Sequence, residues 1–498
     1  MSHPDKPVKI SKLLRAKAHE FLSSHKNSNA LITIVNHFDS GADTTSCLLA
    51  LEMIFTNLLK EKQMLIQIIP LKPMENNAEN QYKQWLKNAY EECYQKILSC
   101  LGHESPKVKI QGLSTAMNIL SYEGRYPLET KGSFDNYVPL QKLKSILINI
   151  LSGKQNTANL ISKYTEYLLF DDILFFTWKL LPSLTAKTNP NDIYIMNYLM
   201  LLEKLQICAN SEAKCLCGDG SAQCFTFDEA VTKKCLNKMW HCLMHWDHTP
   251  ETHKQLLIVL LEKVLVHLDK PLLLTDFLMD SLDVGGPVSL LALQGIFTMV
   301  QVHNLDYPNI FTKLYSMFEP EIFITKYKAR LFYLADLFLS STHLPENLVA
   351  AFVKRLARLA LLASSEDIII ICNFIGNLII RHPGLKCLLN KSSETIVSSD
   401  PYIMEERDPL KSNAISSSLW ELQSLQHHVQ PSVVSAAKFI NCPLPHVEWD
   451  IGKILENTGD DIFDKEVKKF GNLIVLQFEK PNGLSLNRGE KVSHYWDI

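Results

Sequence analysis

The chain has 498 residues, of which 46% are hydrophobic, and its formal net charge is −3. Charged residues make up only 21% of the chain, and the basic excess typical of proteins that bind nucleic acid through its phosphates is missing. The low glycine content, 18 residues, favours helices over a turn-rich all-β fold. The composition therefore predicts a large helical protein whose main contacts are with other proteins.

The N-terminal segment, residues 1–17, is polar and lacks the apolar core of a secretory signal peptide. It carries a modest group of basic residues: Lys6, Lys9, Lys12, Arg15 and Lys17. They could serve nuclear import or contact RNA, but we favour the solvated face of a first helix. The twelve cysteines of the chain are predicted to be reduced thiols of a cytosolic or nuclear protein.

Helical spacing of apolar residues continues along most of the chain. A helix is predicted from Ser105-Pro106 onward, because Pro suits the first turn of a helix and apolar residues follow at positions i, i+3 and i+4. Gly286-Pro287 opens another helix of this kind, and two more are predicted over residues 310–318 and 324–339.

A group of cysteines and histidines surrounds a predicted loop at residues 209–225: Cys208, Cys215, Cys217, Cys224, Cys235, His241, Cys242, His245 and His248. Four such ligands could hold a zinc ion, but the usual Cys-x-x-Cys pair is missing. We favour the alternative that one buried helical stripe is formed by Val231, Cys235, Met239, Cys242 and Trp246. No metal site is therefore predicted, and His241 and His245 are expected on an exposed face.

The clearest helical hairpin begins at Leu344-Pro345-Glu346 and ends at His382-Pro383-Gly384. Pro and Glu both suit the first turn of its first helix. Its second helix contains an apolar run, residues 368–380, which is shorter than the roughly 20 residues that a bilayer span needs. We therefore predict a buried core helix there and no membrane span.

Helix pairs of about 40 residues are typical of HEAT and armadillo proteins. We predict an all-α fold, a degenerate HEAT/armadillo-like helical repeat solenoid with a short mixed C-terminal tail. The predicted divisions are helical repeats over residues 1–270, a second helical domain over 271–445, and a tail over 446–498 with a strand-like run at 473–478. Such stacks leave broad surfaces that bind proteins and seldom hold a catalytic site.

Motifs for enzyme chemistry are missing from the sequence. We find no phosphate-binding loop, no dinucleotide fingerprint and no nucleophile elbow. We therefore predict that the chain is not an enzyme and that it uses no cofactor and no small-molecule substrate. The basic cluster Lys354, Arg355 and Arg358 could contact RNA phosphates, but a solvated helix face explains it as well.

Residues 390–408 are predicted to form a polar loop, and Asp408-Pro409 is predicted to start a further helix. The buried stripe of that helix would be Ile415, Leu419, Leu422 and Leu425. Trp420 falls at the edge of the stripe, where it could belong to the core or contact a partner, since Trp is enriched at binding hot spots.

Two stretches resemble the signature blocks of the CCAAT-binding-factor-type nucleolar complex family (CBF/Mak21 type). They are residues 343–361, continuing to Arg381-His382-Pro383, and residues 400–409, continuing to Ser417-Ser418-Leu419-Trp420-Glu421-Leu422. The resemblance implies a helical scaffold of the nucleolus that pairs with a larger partner of the nucleolar protein fourteen type. It also implies a place in the small-subunit processome, in support of pre-rRNA processing and subunit export.

We therefore expect a non-enzymatic scaffold of small-ribosomal-subunit biogenesis that binds proteins of the pre-ribosomal particle and touches pre-rRNA weakly or indirectly. The predicted partner-binding residues are Phe352, Arg355, Arg358, Trp420 and Glu421. Two alternatives stay open. An importin-like transport adaptor would collect at the nuclear rim, and a transcription-related nucleic-acid-binding factor would need a basic face and a steep salt dependence.

Overall fold

The structure is a computed structural model that describes residues 10–24, 27–41, 43–65, 78–128, 137–209, 214–218, 225–304, 307, 309–389 and 399–473. These residues form α-helices joined by turns, short 3-10 segments and a π-helical stretch at Leu260–Val264, and they contain no β-strand. The predicted all-α class is confirmed. Lys6, Lys9 and most of the predicted strand-like run lie outside the described residues; Leu473 ends the last helix.

The α-helices, in chain order, are α1 Ile10–Ser23, α2 Asn29–Asp39, α3 Thr44–Lys60, α4 Ala78–Ser99, α5 Pro106–Arg125, α6 Leu140–Ile150, α7 Ala158–Tyr164, α8 Asp171–Leu184, α9 Asp192–Lys204, α10 Glu229–Leu243, α11 Pro250–Val259, α12 Thr275–Asp283, α13 Gly286–His303, α14 Ile310–Ser316, α15 Lys328–Phe338, α16 Glu346–Ala360, α17 Ser365–Arg381, α18 Trp420–Leu425, α19 Pro431–Ala437, α20 Ile451–Glu456 and α21 Gly459–Leu473.

Contacts divide the chain into two compact units, residues 1–299 and residues 300–498. In the first unit each helix from α3 to α9 packs on the helix two places further along: α3 on α5, α5 on α7, α7 on α9 and α9 on α11, and likewise α4 on α6, α6 on α8 and α8 on α10. Alternate helices thus form two layers, which is how a solenoid of helix pairs is built. The predicted helical solenoid is confirmed, and the predicted three-part division stays a prediction.

Residues 214–218, part of the predicted loop, are held against the first unit by a buried carboxylate at the start of α8. Asp172 accepts hydrogen bonds from the backbone N–H groups of Leu216 at 3.0 Å and Cys217 at 2.9 Å. Burial raises the pKa of Asp172, although these bonds to its ionised form act against the rise. Gly124 of α5 lets this segment approach, because a Cβ there would overlap Cys217.

The hairpin of α16 and α17 forms the centre of the second unit. Ser364 caps α17 by accepting a hydrogen bond from the backbone N–H of Asp367. Helix α17 packs against α16, α19, α20 and α21, and almost every side chain from Ile368 to Ile379 is buried. The predicted buried core helix is confirmed. Among the described residues we find no helix with the length and continuous apolar character of a bilayer span.

The helix expected to start at Asp408-Pro409 is not continuous, so that prediction is wrong. Asp408 does accept a hydrogen bond from the N–H of Leu410, as a helix cap does, but the turn that follows is only the 3-10 segment Pro409–Lys411. A second 3-10 segment, Ala414–Ser416, precedes α18. The expected continuous helix is interrupted because Asn413 adopts positive φ, at 55°, which an α-helix cannot contain.

An extended segment after α19 is fastened to α17 by what we call the Trp449 anchor, formed by Gly376, Asn377, Arg381, Glu448 and Trp449. The Asn377 amide donates to the Trp449 carbonyl and accepts from the Trp449 N–H, both at 2.8 Å. Arg381 forms ion pairs of 2.6 Å with Glu448 and 2.8 Å with Asp336. The Trp449 ring lies directly on Gly376, where a Cβ would overlap it.

We predict that Gly376→Ala lowers the free energy of unfolding by about 1–3 kcal/mol, because the added methyl group forces the indole ring off α17. Chemical denaturation followed by tryptophan fluorescence measures the loss. Gly471→Ala is the matched control, since nothing lies within 4 Å of its added Cβ and helical Gly-to-Ala changes stabilise by about 0.4–1 kcal/mol. Equal stability of the two variants would contradict the anchor.

Candidate interaction surface

Helix α16 carries the basic cluster that the sequence singles out, and the structure treats its three members differently. Lys354 is completely buried, whereas Arg355 and Arg358 are partly exposed. The expectation that all three lie on a solvated helix face, or contact RNA phosphates, is therefore wrong for Lys354. Apolar packing surrounds this position, and an ammonium there needs acceptors from the protein itself.

The Lys354 ammonium group has three acceptors, one for each of its protons. It donates to the Ser418 carbonyl and to Glu421 Oε1, both at 2.6 Å, and forms an ion pair of 3.0 Å with Asp400 Oδ2. Glu421 is also completely buried. A buried charge is tolerated only when it is paired and hydrogen-bonded, and Lys354 meets both conditions.

Arg358 completes a neutral network with two cations and two carboxylates. Its guanidinium group contacts Asp400 Oδ2 at 2.6 Å and Glu421 Oε1 at 2.8 Å. Asp400 also accepts hydrogen bonds from the hydroxyl of Ser417 and, at 2.9 Å, from the indole N–H of Trp420. This network, which we call the Lys354 cluster, holds residues 400 and 417–421 on α16.

The two carboxyl groups of the cluster have opposite pKa shifts. For Asp400, burial alone would raise the pKa, but hydrogen bonds from Ser417, Trp420 and Lys354 outweigh it and hold the pKa well below its usual range. For Glu421, burial dominates over the bond from Lys354 and raises the pKa. The Glu421 Oε2 atom is buried with no hydrogen-bond partner among the described residues.

Trp420 covers the outer side of the Lys354 cluster. The charged ends of Lys354 and Arg358 lie 5.4 and 4.8 Å from its ring centroid, within the range of cation–π attraction. The side chain keeps 40% of its surface exposed. The sequence left open whether Trp420 belongs to the core or to a contact surface, and the structure places it between the two.

Phe352 and Glu421 do not lie on a surface, which corrects the expectation that they face a partner. Phe352 is completely buried and packs edge-on against Tyr315, with ring centroids 5.3 Å apart. Arg355 points back into the unit, donating to the carbonyls of Phe318 at 2.7 Å and Met404 at 3.1 Å. Of the five predicted partner-binding residues, Trp420 and Arg358 therefore have the surface that a direct contact requires.

Two exposed leucines that the sequence analysis missed follow α16. Leu362 is 75% exposed and Leu361 is also exposed. They lie three and four residues after Arg358. Leu361 keeps helical backbone angles and the N–H of Leu362 bonds to the Leu359 carbonyl, so this turn continues the face of α16 that carries Arg358. We call Arg358, Leu361, Leu362 and Trp420 the Trp420 surface. The sequence did contain a sign of this surface: two adjacent leucines follow the last turn of α16, where a polar cap is usual.

The cysteine and histidine group does not converge. The described residues contain no group of three or more His, Cys, Asp or Glu side chains that could hold a metal ion, and Cys224 lies outside them. Met239 and Trp246 are buried as expected, but Cys235 and Cys242 are only half-buried. The buried stripe is shifted by about one residue and runs through Thr232, Leu236, Met239, Trp240 and Leu243. His241 and His245 are exposed, as predicted.

Comparisons with known proteins agree on one family. Residues 289–437 match the model of the CBF/Mak21 family, and residues 5–189 match that of nucleolar complex protein 4-like TPR repeats. The chain is 36% identical to nucleolar complex protein 4 homolog A of Xenopus laevis, covering 95% of this chain and 93% of that protein. It is 32% identical to nucleolar complex protein 4 homolog of Homo sapiens, covering 98% of each. The resemblance seen in the sequence is confirmed.

We predict that Lys354→Met lowers the free energy of unfolding by about 3–5 kcal/mol at pH 7, because it leaves the carboxylate of Glu421 buried without its main partner. Losing that cation raises the pKa of Glu421 further. The folded variant then takes up a proton at a higher pH than the unfolded chain does, so its stability recovers as the pH falls from 7 towards 5. Urea denaturation over this pH range measures both effects.

Two further variants isolate the cause. Lys354→Met combined with Glu421→Gln removes the uncompensated charge. We expect the free energy of unfolding of this double variant to recover partly at pH 7. As the pH falls to 5, it should not rise relative to that of the wild type. Lys411→Met is the control, because the Lys411–Asp408 ion pair is exposed and should change stability by less than about 1 kcal/mol. A single variant that stays equally unstable at pH 5 and pH 7 would rule out the buried charge as the cause.

Proposed function

Because this chain belongs to the nucleolar complex protein 4 family, we propose that it is a nucleolar scaffold in the assembly of the small ribosomal subunit. The nucleolar location follows from the relatives' names and from their coverage of nearly the whole chain. The same names support our proposal of a role in ribosome biogenesis. The family descriptions name helical repeats and a nucleolar complex and name no catalytic activity. A repeat scaffold fits the two helical layers of the first unit.

The finer parts of the proposal concern the partner and the step. We propose that the chain acts in the small-subunit processome, pairs there with a larger partner of the nucleolar protein fourteen type, and supports pre-rRNA processing and subunit export. It would also meet other proteins of the pre-ribosomal particle. Contact with pre-rRNA would be weak or indirect, since the Lys354 cluster is neutral and its central ammonium is buried.

The Trp420 surface is the docking site we propose for that partner. It combines a Trp, an Arg and two exposed leucines, and Trp and Arg are enriched among residues that contribute most to binding. The Lys354 cluster below fixes the indole ring and the guanidinium group in advance, which lowers the entropy lost on docking. This preorganised apolar surface is the observation that supports partner binding most directly.

We predict that Leu362→Glu weakens binding of the purified partner at least tenfold, since it places an unpaired charge in the interface, which costs roughly 1.4 kcal/mol or more. Titration calorimetry with the full chain measures the affinity. Trp420→Phe should weaken binding to a smaller extent, because it removes the indole N–H bond to Asp400 and keeps an aromatic ring.

Val429→Glu is the matched control, because Val429 is 97% exposed in the same unit and lies outside the Trp420 surface. We expect it to bind as the wild type does and to remain nucleolar. Equal losses for Leu362→Glu and Val429→Glu would argue against this surface. Accumulation of the wild-type protein at the nuclear rim would instead favour the transport-adaptor alternative.

A further inference from the structure

Helix α21 is held against the second unit by one side only. Ile462 is buried on that side, and Glu466 accepts a hydrogen bond from the Ser432 hydroxyl at the start of α19. The Trp449 anchor fixes the chain shortly before α20 and α21 begin. The helix therefore has a defined orientation, and its remaining surface is presented outward.

The outward side of α21 carries a stripe of large apolar residues. Phe463, Val467 and Phe470 are 67%, 50% and 52% exposed. Their spacing of i, i+4 and i+7 places them in one row along the helix. Scattered apolar residues on a surface are ordinary, but a contiguous apolar row on a fixed helix is typical of an interaction site.

The charges on α21 are arranged around this stripe. At 100° per residue, Asp460 and Asp464 border it on one side and Glu466 borders it on the other. Lys465, Lys468 and Lys469 lie on the far side of the helix; Lys465 bonds to Asn457 and Lys469 to Glu466. The apolar row therefore has an acidic border.

We propose that α21 docks through Phe463, Val467 and Phe470 into an apolar groove on another protein, and that lysine or arginine residues border this groove. An amphipathic helix in a groove is a common mode of recognition, with anchors at i, i+4 and i+7. Basic residues beside the groove would pair with Asp460 and Asp464. The residues differ from those of the Trp420 surface, so the inference goes beyond the proposed function.

A second copy of this chain fits the stripe less well. Pairing two such rows covers only six side chains, which falls short of the roughly 1,200 Å² that a stable interface buries. It also brings no basic residue to Asp460 and Asp464, because the lysines of α21 lie on the side of the helix that faces away from the stripe. A groove surrounds more of a single helix than another helix can, and it supplies the missing positive charge.

The test starts with the full-length protein in its own cells, carrying a photo-crosslinking amino acid at position 467. The matched control carries the same group at position 468, which points away from the stripe. We expect an adduct from position 467 that is missing or much weaker from position 468. Mass spectrometry should place the adduct on another protein, in a peptide with apolar residues beside Lys or Arg.

That protein is then purified and titrated with full-length variants. We expect Phe463→Ala with Phe470→Ala to weaken binding at least roughly thirtyfold, as loss of two anchor residues does. Asp464→Asn should weaken it severalfold at low salt and less at high salt. Lys468→Ala should bind within twofold of the wild type. Thermal melting and tryptophan fluorescence check that each variant is folded.

Several outcomes would overturn the proposal. If the crosslink joins two copies of this chain, the stripe serves self-association. If it joins position 467 to residues 474–498 of the same chain, the stripe serves an internal contact. Adducts of equal strength from positions 467 and 468, or none from either, show that no protein docks on the stripe. A captured peptide without basic residues, or Asp464→Asn binding like the wild type, contradicts the acidic border.

Discussion

The burial of one ammonium group organises the second unit. Once Lys354 lies inside the apolar surroundings of α16, both carboxylates must come to it, because an unpaired charge there would destabilise the fold by several kcal/mol. Asp400 belongs to a stretch with little regular structure before α18, and Glu421 lies in the first turn of α18. Apolar stripes position the helices, whereas charge pairing positions these residues on α16. It holds Asp400 and Glu421 within 3.0 Å of Lys354.

The two units achieve rigidity in different ways. In the first unit each helix from α3 to α9 packs on the helix two places further along, so apolar periodicity suffices to specify this stack. In the second unit the α16–α17 hairpin is surrounded by short helices and extended segments that lack a long apolar stripe of their own. Side-chain-to-backbone bonds and ion pairs hold these pieces, as Arg355 does with Phe318 and Met404.

This contrast explains what could be predicted from the sequence. Apolar spacing predicted α5, α16 and α17, because helical periodicity is a local property of neighbouring residues. It failed for Lys354, since a periodic pattern assigns a charged residue to solvent unless its partners are known. The partners of this cluster lie far apart in the sequence. Glu421 is 67 residues after Lys354, and Asp400 is 42 residues after Arg358. Phe352 was misplaced for the same reason, because its covering residues come from other helices. Trp420 could only be placed at an edge, which is where the structure has it.

Two tryptophans show how hydrogen bonds to neighbouring polar groups hold a side chain in one position and so form a fixed surface. Trp420 is held by its indole N–H bond to Asp400 and by two cations against its ring. Trp449 is held through its backbone by Asn377 and through its ring by the absence of a side chain at Gly376. In both cases the polar bonds are satisfied within the unit, so what remains at the surface is mainly apolar. A partner that docks there gains from covering apolar area without having to break these bonds. This is the physical reason that a neutral network, whose cations are already paired, supports protein recognition better than phosphate binding.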